Sequence, residues 1–522
     1  MLEAVYSFHS HLCLILCLLI VLTYWRFADS KRRKAVLKYP PGPWNLPIFG
    51  YMPFLSINPY KQLEKLGKAY GSIFTIFLGK YRVIVLNDHN VIRDAYKEDA
   101  FSGRPDLNML EVRNGGIRKG LVCSQGRVWM EQRKFTLRRL KDLGLGKHAM
   151  EGLIREELNE LVDGIRYLNL HQISYFILNE MFPVWTRKQA GTPVNLLTRL
   201  QLAVLNALWK ITCGERYNHD DNRLLNILKK TGADLADTQY TGPLLFLPWL
   251  VHIAPMLTRW KTFVSSITTV HQFLKRIIEA HKNSFRENTM RDFIDDYLEE
   301  IANTKDRNSS FYGSTGEHSL LITLLDLFMA GGDTTSTTLY WAFLYMILYQ
   351  NVQKKVQNEI DNVLGRFPPS LEHRKRMPYT EATIKEILRK SSLVPLGLFH
   401  STTDHTNFFG YDIPKDTVII ANLHNCHNNR NYWTDPENFR PERFIGDDGN
   451  PKKYNAFMPF STGKRVCPGE SLARDELFLF FVGLLQHFTF TVDPSNSAPT
   501  EKPKIGIVLS PKPFTVIATE RF

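Results

Sequence analysis

Apolar and polar positions follow different periods in different parts of the chain. From about residue 129 to 390 apolar side chains recur every three or four positions, which predicts a succession of helices. Ser72 to Leu78 and Arg82 to Leu86 are short β-rich runs that predict two strands around a turn at Gly79. Asn303 to His318 is polar and rich in Ser, Gly and Asn, predicting a surface loop ahead of a long helix. From about 393 the pattern breaks into loop and short strand, and helical spacing returns from about 469 to 487. No repeat or further composition break divides the chain beyond residue 50. Residues 51–522 therefore read as one large domain, mainly α with small β-sheets.

The N-terminus is patterned differently. Leu12 to Leu22 is uncharged and almost wholly apolar, and Val5 to Trp25 extends it. A bilayer-spanning helix needs about 20 such residues, so 1–25 predicts an N-terminal transmembrane helix. Glu3 with no preceding Lys or Arg, and no small-residue cleavage site, argue against a removed signal peptide. Residues 26–50 form a hinge, first basic, then Pro40-Pro41-Gly42-Pro43, which allows neither helix nor central strand. Six cations between Arg26 and Lys38 face the single acid Asp29, a net +5 that places the downstream domain on the cytoplasmic side.

Composition adds little about fold: 44% hydrophobic and 22% charged residues are ordinary for a globular protein of 522 residues. The formal charge of +13 suits a solvated surface that favours solubility, an anionic membrane or an acidic protein partner. Nucleic acid is not expected, since no basic recognition motif accompanies the charge. Six widely and irregularly spaced cysteines, with no Cys-x-x-Cys pair, argue against a disulfide framework or a zinc ribbon.

One cysteine has distinctive neighbours. In Phe460-Ser461-Thr462-Gly463-Lys464-Arg465-Val466-Cys467-Pro468-Gly469, two glycines bracket Cys467 and permit close backbone approach to something flat. A helix is predicted just after it, so backbone N–H groups point toward the sulfur, and Arg465 adds a cation; all three favour a thiolate. With Glu470, Leu472, Ala473, Arg474 and Glu476, the run resembles the haem-binding signature of cytochromes P-450, Phe-x-x-Gly-x-Arg-x-Cys-x-Gly. That resemblance implies the cytochrome P-450 fold, haem b as cofactor, and Cys467 as axial ligand of the haem iron.

Further motifs follow in the family's order. Ala330-Gly331-Gly332-Asp333-Thr334-Thr335 lies in an apolar helix, with Ala330, Asp333 and Thr334 on one face. Two mid-helix glycines are unfavourable by roughly 1 kcal/mol each, and an opening in the helix there would admit oxygen and water. The resemblance implies an oxygen-binding groove at Ala330, with Asp333 and Thr334 as catalytic residues in proton delivery. It also implies a structural triad of Glu386 and Arg389 with Arg443. Arg104, Trp129, Arg133, His400 and Arg465 are the groups implied for the haem propionates, and Arg suits a carboxylate because its fork binds two oxygens. Two positions depart from the pattern: Phe399 stands where proline commonly precedes the histidine, and Asp416 replaces a usual glycine.

The resemblance, strongest to animal microsomal drug- and steroid-hydroxylase-like members, implies a monooxygenase acting on a lipophilic steroid, fatty acid, terpenoid or xenobiotic. No dinucleotide-binding Gly-x-Gly-x-x-Gly motif is present, so electrons are expected from a partner, an NADPH–cytochrome reductase, with cytochrome b5 as a second donor. The endoplasmic reticulum membrane is the implied location. By analogy, Pro105 to Gly120, Gly242 to Trp260, Leu325 to Met329 and Leu393 to Phe399 line the substrate pocket, and Gly242 to Trp260 dips into the membrane. The alternatives are a haem-thiolate isomerase or dehydratase and a non-catalytic haem-binding membrane protein; Asp333 and Thr334 argue against both.

Overall fold

A computed structural model describes residues 37–521 apart from 147, 180–191, 220, 236–242, 257 and 287–290. The predicted membrane helix at 1–25 lies outside the described residues, and among those described no helix is long and apolar enough to cross a membrane.

The helices that position the site are α1 (His89–Lys97), α2 (Asn108–Arg113), α3 (Gly126–Asp142), α4 (His148–Asn179), α5 (Leu196–Cys213), α6 (Trp260–Ser284), α7 (Gly313–Leu348), α8 (Pro378–Ser391) and α9 (Glu470–His487). Among the described residues nine strands form three small sheets: β1 (Ile73–Leu78), β2 (Tyr81–Leu86), β3 (Thr192–Val194), β4 (His400–Ser401), β5 (Thr406–Phe408), β6 (Tyr411–Ile413), β7 (Val418–Ala421), β8 (Phe488–Val492) and β9 (Val516–Glu520). The orders are β1-β2-β7-β4, β3-β9-β8 and β5-β6. β2 and β7 pair in parallel, Val83 opposite Val418 through Leu86 opposite Ala421. The fold is mainly helical with small sheets, as the periodicity predicts.

Helix α7 is the axis of the molecule. It is apolar nearly all round, which suits only a helix packed on every side, and it contacts α5, α6, α8 and α9. Trp341, Phe343 and Leu344 on α7 share one core with Trp209 on α5 and Phe478 to Phe481 on α9. The helix begins at Gly313, inside the segment predicted as loop, because the polar residues that suggested a loop form its solvated first turns. A second core fills the space between the first sheet and Leu244 to Phe246.

Local signals set the ends of these elements. Asp88 caps α1 by accepting from the amides of Asn90 (2.8 Å) and Val91 (3.3 Å). Asn195 caps α5, which ends in left-handed Gly214. The described part of the hinge does not stand off from the domain. It lies along β1, with Thr75 N donating to Pro41 O (2.7 Å) and Phe77 N to Asn45 Oδ1 (3.1 Å).

Candidate active site

Cys467 sits in a tight loop between the short 3-10 turn Gly463–Arg465 and α9. Its amide donates to Phe460 O (3.1 Å), closing the loop. Gly463 has φ 74° and lies so close to α1 that a Cβ would overlap the Tyr96 carbonyl, so glycine is required twice over. Burial pushes the Cys467 thiol above its ordinary pKa and Glu470 adds to the push, while the Gly469 amide and Arg133 favour the thiolate. The amide and the cation favour the thiolate as the sequence suggests, but desolvation outweighs them in the protein alone.

The choice of cation is corrected. Arg465 turns away from the sulfur, donating to the carbonyls of Ser102 (2.9 Å) and Ser124 (2.7 Å), with its guanidinium 3.8 Å from the centroid of Trp129. Arg133 reaches Val466 O (2.6 Å), beside the cysteine. Arg104, buried, donates to Val122 O (2.9 Å) and Phe399 O (2.8 Å). His400, on β4, bonds through Nδ1 to Phe101 O (2.8 Å), and burial holds its pKa well below the ordinary value.

These side chains come from segments up to 361 positions apart, yet Arg104 and Arg133 lie near enough to Arg465 to repel it, and Arg104 and Arg465 both act on His400. Among the described residues no carboxylate bonds to Arg104, Arg133 or Arg465; all their side-chain hydrogen bonds end on backbone carbonyls. Burial, with Arg104 and Arg133 adding repulsion, pushes Arg465 down to about 8. Clustered buried cations of this kind require an anion. A haem fits on both counts, offering two carboxylates to the arginines and an iron to Cys467.

Asp333 and Thr334 lie midway along α7. Asp333 is half-buried; desolvation pushes its carboxyl up to about 6, opposed by a hydrogen bond from Gln201 Nε2 on α5 (3.2 Å). Thr334 Oγ1 donates to Ala330 O (2.7 Å). The expected opening in the helix is absent, because α7 is helical without interruption here. The glycines serve packing instead: a Cβ on Gly331 would come within 2.5 Å of Leu208, and one on Gly332 within 3.4 Å of Leu205.

Glu386 and Arg389, one turn apart on α8, are both fully buried and joined bidentately at 2.8 Å. Arg443 Nε adds a third contact to Glu386 at 3.1 Å. Arg389 also donates to Pro436 O (3.0 Å), tying α8 to the loop ahead of the cysteine segment.

The chain matches the Cytochrome P-450 family profile over residues 40–518. It belongs to the cytochrome P-450 family. It is 36% identical to Cytochrome P-450 2J2 of Homo sapiens, covering 93% of this chain and 92% of that protein. It is 32% identical to Cytochrome P-450 18a1 of Drosophila melanogaster (98% and 92%) and 34% to Cytochrome P-450 2L1 of Panulirus argus (92% and 95%). The enzyme is thus a cytochrome P-450 monooxygenase using haem b, with electrons from NADPH reaching it through a redox partner.

Sequence reasoning missed Asp326. It is buried on α7, accepts from the amides of Leu121 (2.6 Å) and Val122 (2.9 Å), and pairs with Arg113 at 2.7 Å. His271 on α6 and His318 on α7 bond to the carbonyls of Arg113 and Asn114, each at 3.0 Å. Together they fasten α2 and the loop after it over α7. The signal was present: one acid in the apolar run Leu320 to Ala330 of a helix buried all round. The two departures have local accounts. Phe399 stacks with Phe246, centroids 6.0 Å apart, and Asp416 adopts φ 60°, the conformation that makes glycine usual there.

Proposed function

We propose that this monooxygenase oxidises lipophilic organic molecules at the endoplasmic reticulum membrane, drawing its electrons from an NADPH–cytochrome reductase. The observation that carries the site assignment is the cluster of Arg104, Arg133 and Arg465 without a carboxylate, set in the same loop system as Cys467. In this reading Cys467 ligates the iron, and Arg104, Arg133, Arg465, His400 and Trp129 hold the propionate edge. Ala330 lies in the oxygen-binding groove. Bound haem supplies the iron that activates O2 and delivers one oxygen atom to substrate. The polypeptide supplies protons: Asp333, poised near neutrality, exchanges them with solvent, and the Thr334 hydroxyl passes them on. Glu386, Arg389 and Arg443 act structurally, holding the loop that carries the cysteine.

The electron donor has a landing place in this reading. Arg93, Lys385, Lys452, Lys453 and Arg474 ring a shallow depression that includes Ser461 and Thr462 of the Cys467 loop. An acidic reductase is steered to such a surface, and cytochrome b5 would compete for it. The membrane has another. Ile48, Phe49, Ile57, Trp249, Ile253 and Met256 are exposed, and Asn45, Leu46, Ile48 and Gly50 line one depression with Phe246 to Trp249. Exposed apolar groups so concentrated suit a lipid surface, beside the segment expected to admit substrate.

The test is spectroscopic and kinetic. Reduced, CO-bound protein should show the red-shifted Soret band of a thiolate-ligated haem; a histidine-type band would refute Cys467 as ligand. A lipophile panel should include compounds that shift the Soret band and raise reductase-dependent NADPH consumption. Turnover of peroxides without NADPH would instead support the isomerase reading.

A further inference from the structure

Tyr96 of α1 takes no part in the assignments above. Its ring lies flat on that of His400, centroids 3.9 Å apart and planes 7° from parallel. Its side chain belongs to one apolar core with Ile92, Phe101, Phe408 and Met458, an environment in which leucine would leave nothing unsatisfied. Its hydroxyl is buried and has no hydrogen-bond partner. Buried hydroxyls are nearly always paired, because an unpaired one is strongly disfavoured. Arg104 is near enough that its charge opposes the upward push of burial on the phenol. The Tyr96 carbonyl meanwhile touches Gly463 of the cysteine loop. One residue therefore adjoins the imidazole, an arginine and the loop of the proposed haem site, with a donor to spare.

We infer that Tyr96 is a further haem-binding residue: its ring fixes the plane of His400, and its hydroxyl donates to a carboxylate of the cofactor, directly or through one water. The inference rests on the haem-site assignment above. A phenol O–H adds a neutral donor beside the three arginines, and a charge-assisted bond to a carboxylate is the strongest partner it can find there.

Full-length holoenzyme and the variants Y96F and Y96L test it. The reduced CO spectrum comes first, because loss of the thiolate band in wild type would overturn the site itself and not the role of Tyr96. With that band intact, Y96F should release haem to excess apomyoglobin about tenfold faster than wild type, the loss expected of one charge-assisted bond. Y96L should be faster still, since His400 loses its stacking partner. Propionate bending modes in the resonance Raman spectrum should shift in Y96F. Removing an unsatisfied hydroxyl should also leave haem-free Y96F at least as stable as haem-free wild type while the holoprotein is less stable. Wild-type haem release with unchanged propionate modes would overturn the inference, as would equal destabilisation of both forms.

Discussion

Glu386→Ala offers the most direct measure of how the cysteine loop is held. Glu386 is fully buried and accepts from Arg389 twice, from Arg443 Nε, and from the Arg440 amide at 3.0 Å. Its removal strands two buried guanidinium groups, and breaking such a pair costs roughly 3–5 kcal/mol. Arg389 keeps the carbonyls of His427 (2.8 Å) and Pro436, and Arg443 keeps Thr434 O (2.7 Å). These residual bonds place the expected loss toward the lower end, about 3 kcal/mol. That is a large share of the roughly 5–15 kcal/mol by which folded proteins are stable. Large haem proteins unfold irreversibly, so the assay is the half-life of the thiolate-type CO band at a fixed elevated temperature. If the triad forms after the unfolding barrier is crossed, about 3 kcal/mol shortens that half-life by roughly a hundredfold. Glu386→Gln, which keeps one acceptor, should fall between. A half-life for Glu386→Ala within about twofold of wild type would refute the reasoning.

Four other outcomes follow from the geometry. Thr334→Ala should retain haem and the thiolate band while diverting electrons from product to hydrogen peroxide; unchanged coupling would remove Thr334 from proton delivery. Coupling should depend on pH with an apparent pKa near 6 that disappears in Asp333→Asn, following the raised carboxyl. Because the folded pKa lies above the unfolded one, Asp333 contributes stability at acid pH that is lost as pH rises from about 4 through 6, and Asp333→Asn should flatten that slope in denaturant titrations. Asp326→Ala strands Arg113 and frees two amides, so it should lower stability by roughly 3–5 kcal/mol and weaken ligand-induced Soret shifts; unaltered ligand affinity would show that the loop after α2 does not shape the pocket.

What the sequence made legible was local. The turn chemistry around Cys467, the helical face of Asp333 and Thr334, and the i, i+3 pair Glu386–Arg389 all lie within a few residues, where spacing dictates geometry. What escaped it was long-range. Arg465 is two positions from Cys467, yet its guanidinium is drawn to carbonyls at 102 and 124 that only the fold brings near. The glycine pair was read as an opening because its reason, the approach of Leu205 and Leu208, sits on another helix. Tyr96 carries no sequence signal, since an aromatic on an amphipathic helix is ordinarily core. Asp326 could have been found by asking what a lone acid does in a helix without a solvated face.

The parallel register of β2 with β7 joins Val83–Leu86 to Val418–Ala421. During synthesis the first of these strands leaves the ribosome more than three hundred residues before its partner exists. A comparable delay separates Tyr96, Arg104 and Arg133 from His400, Arg465 and Cys467. Until then a bare apolar strand and two arginines without their enclosing walls must be kept from other chains. Cofactor loading is therefore confined to the closing moments of translation or to the time after release. Pulse-labelled chains truncated before residue 418 should remain bound to chaperones and take up no haem.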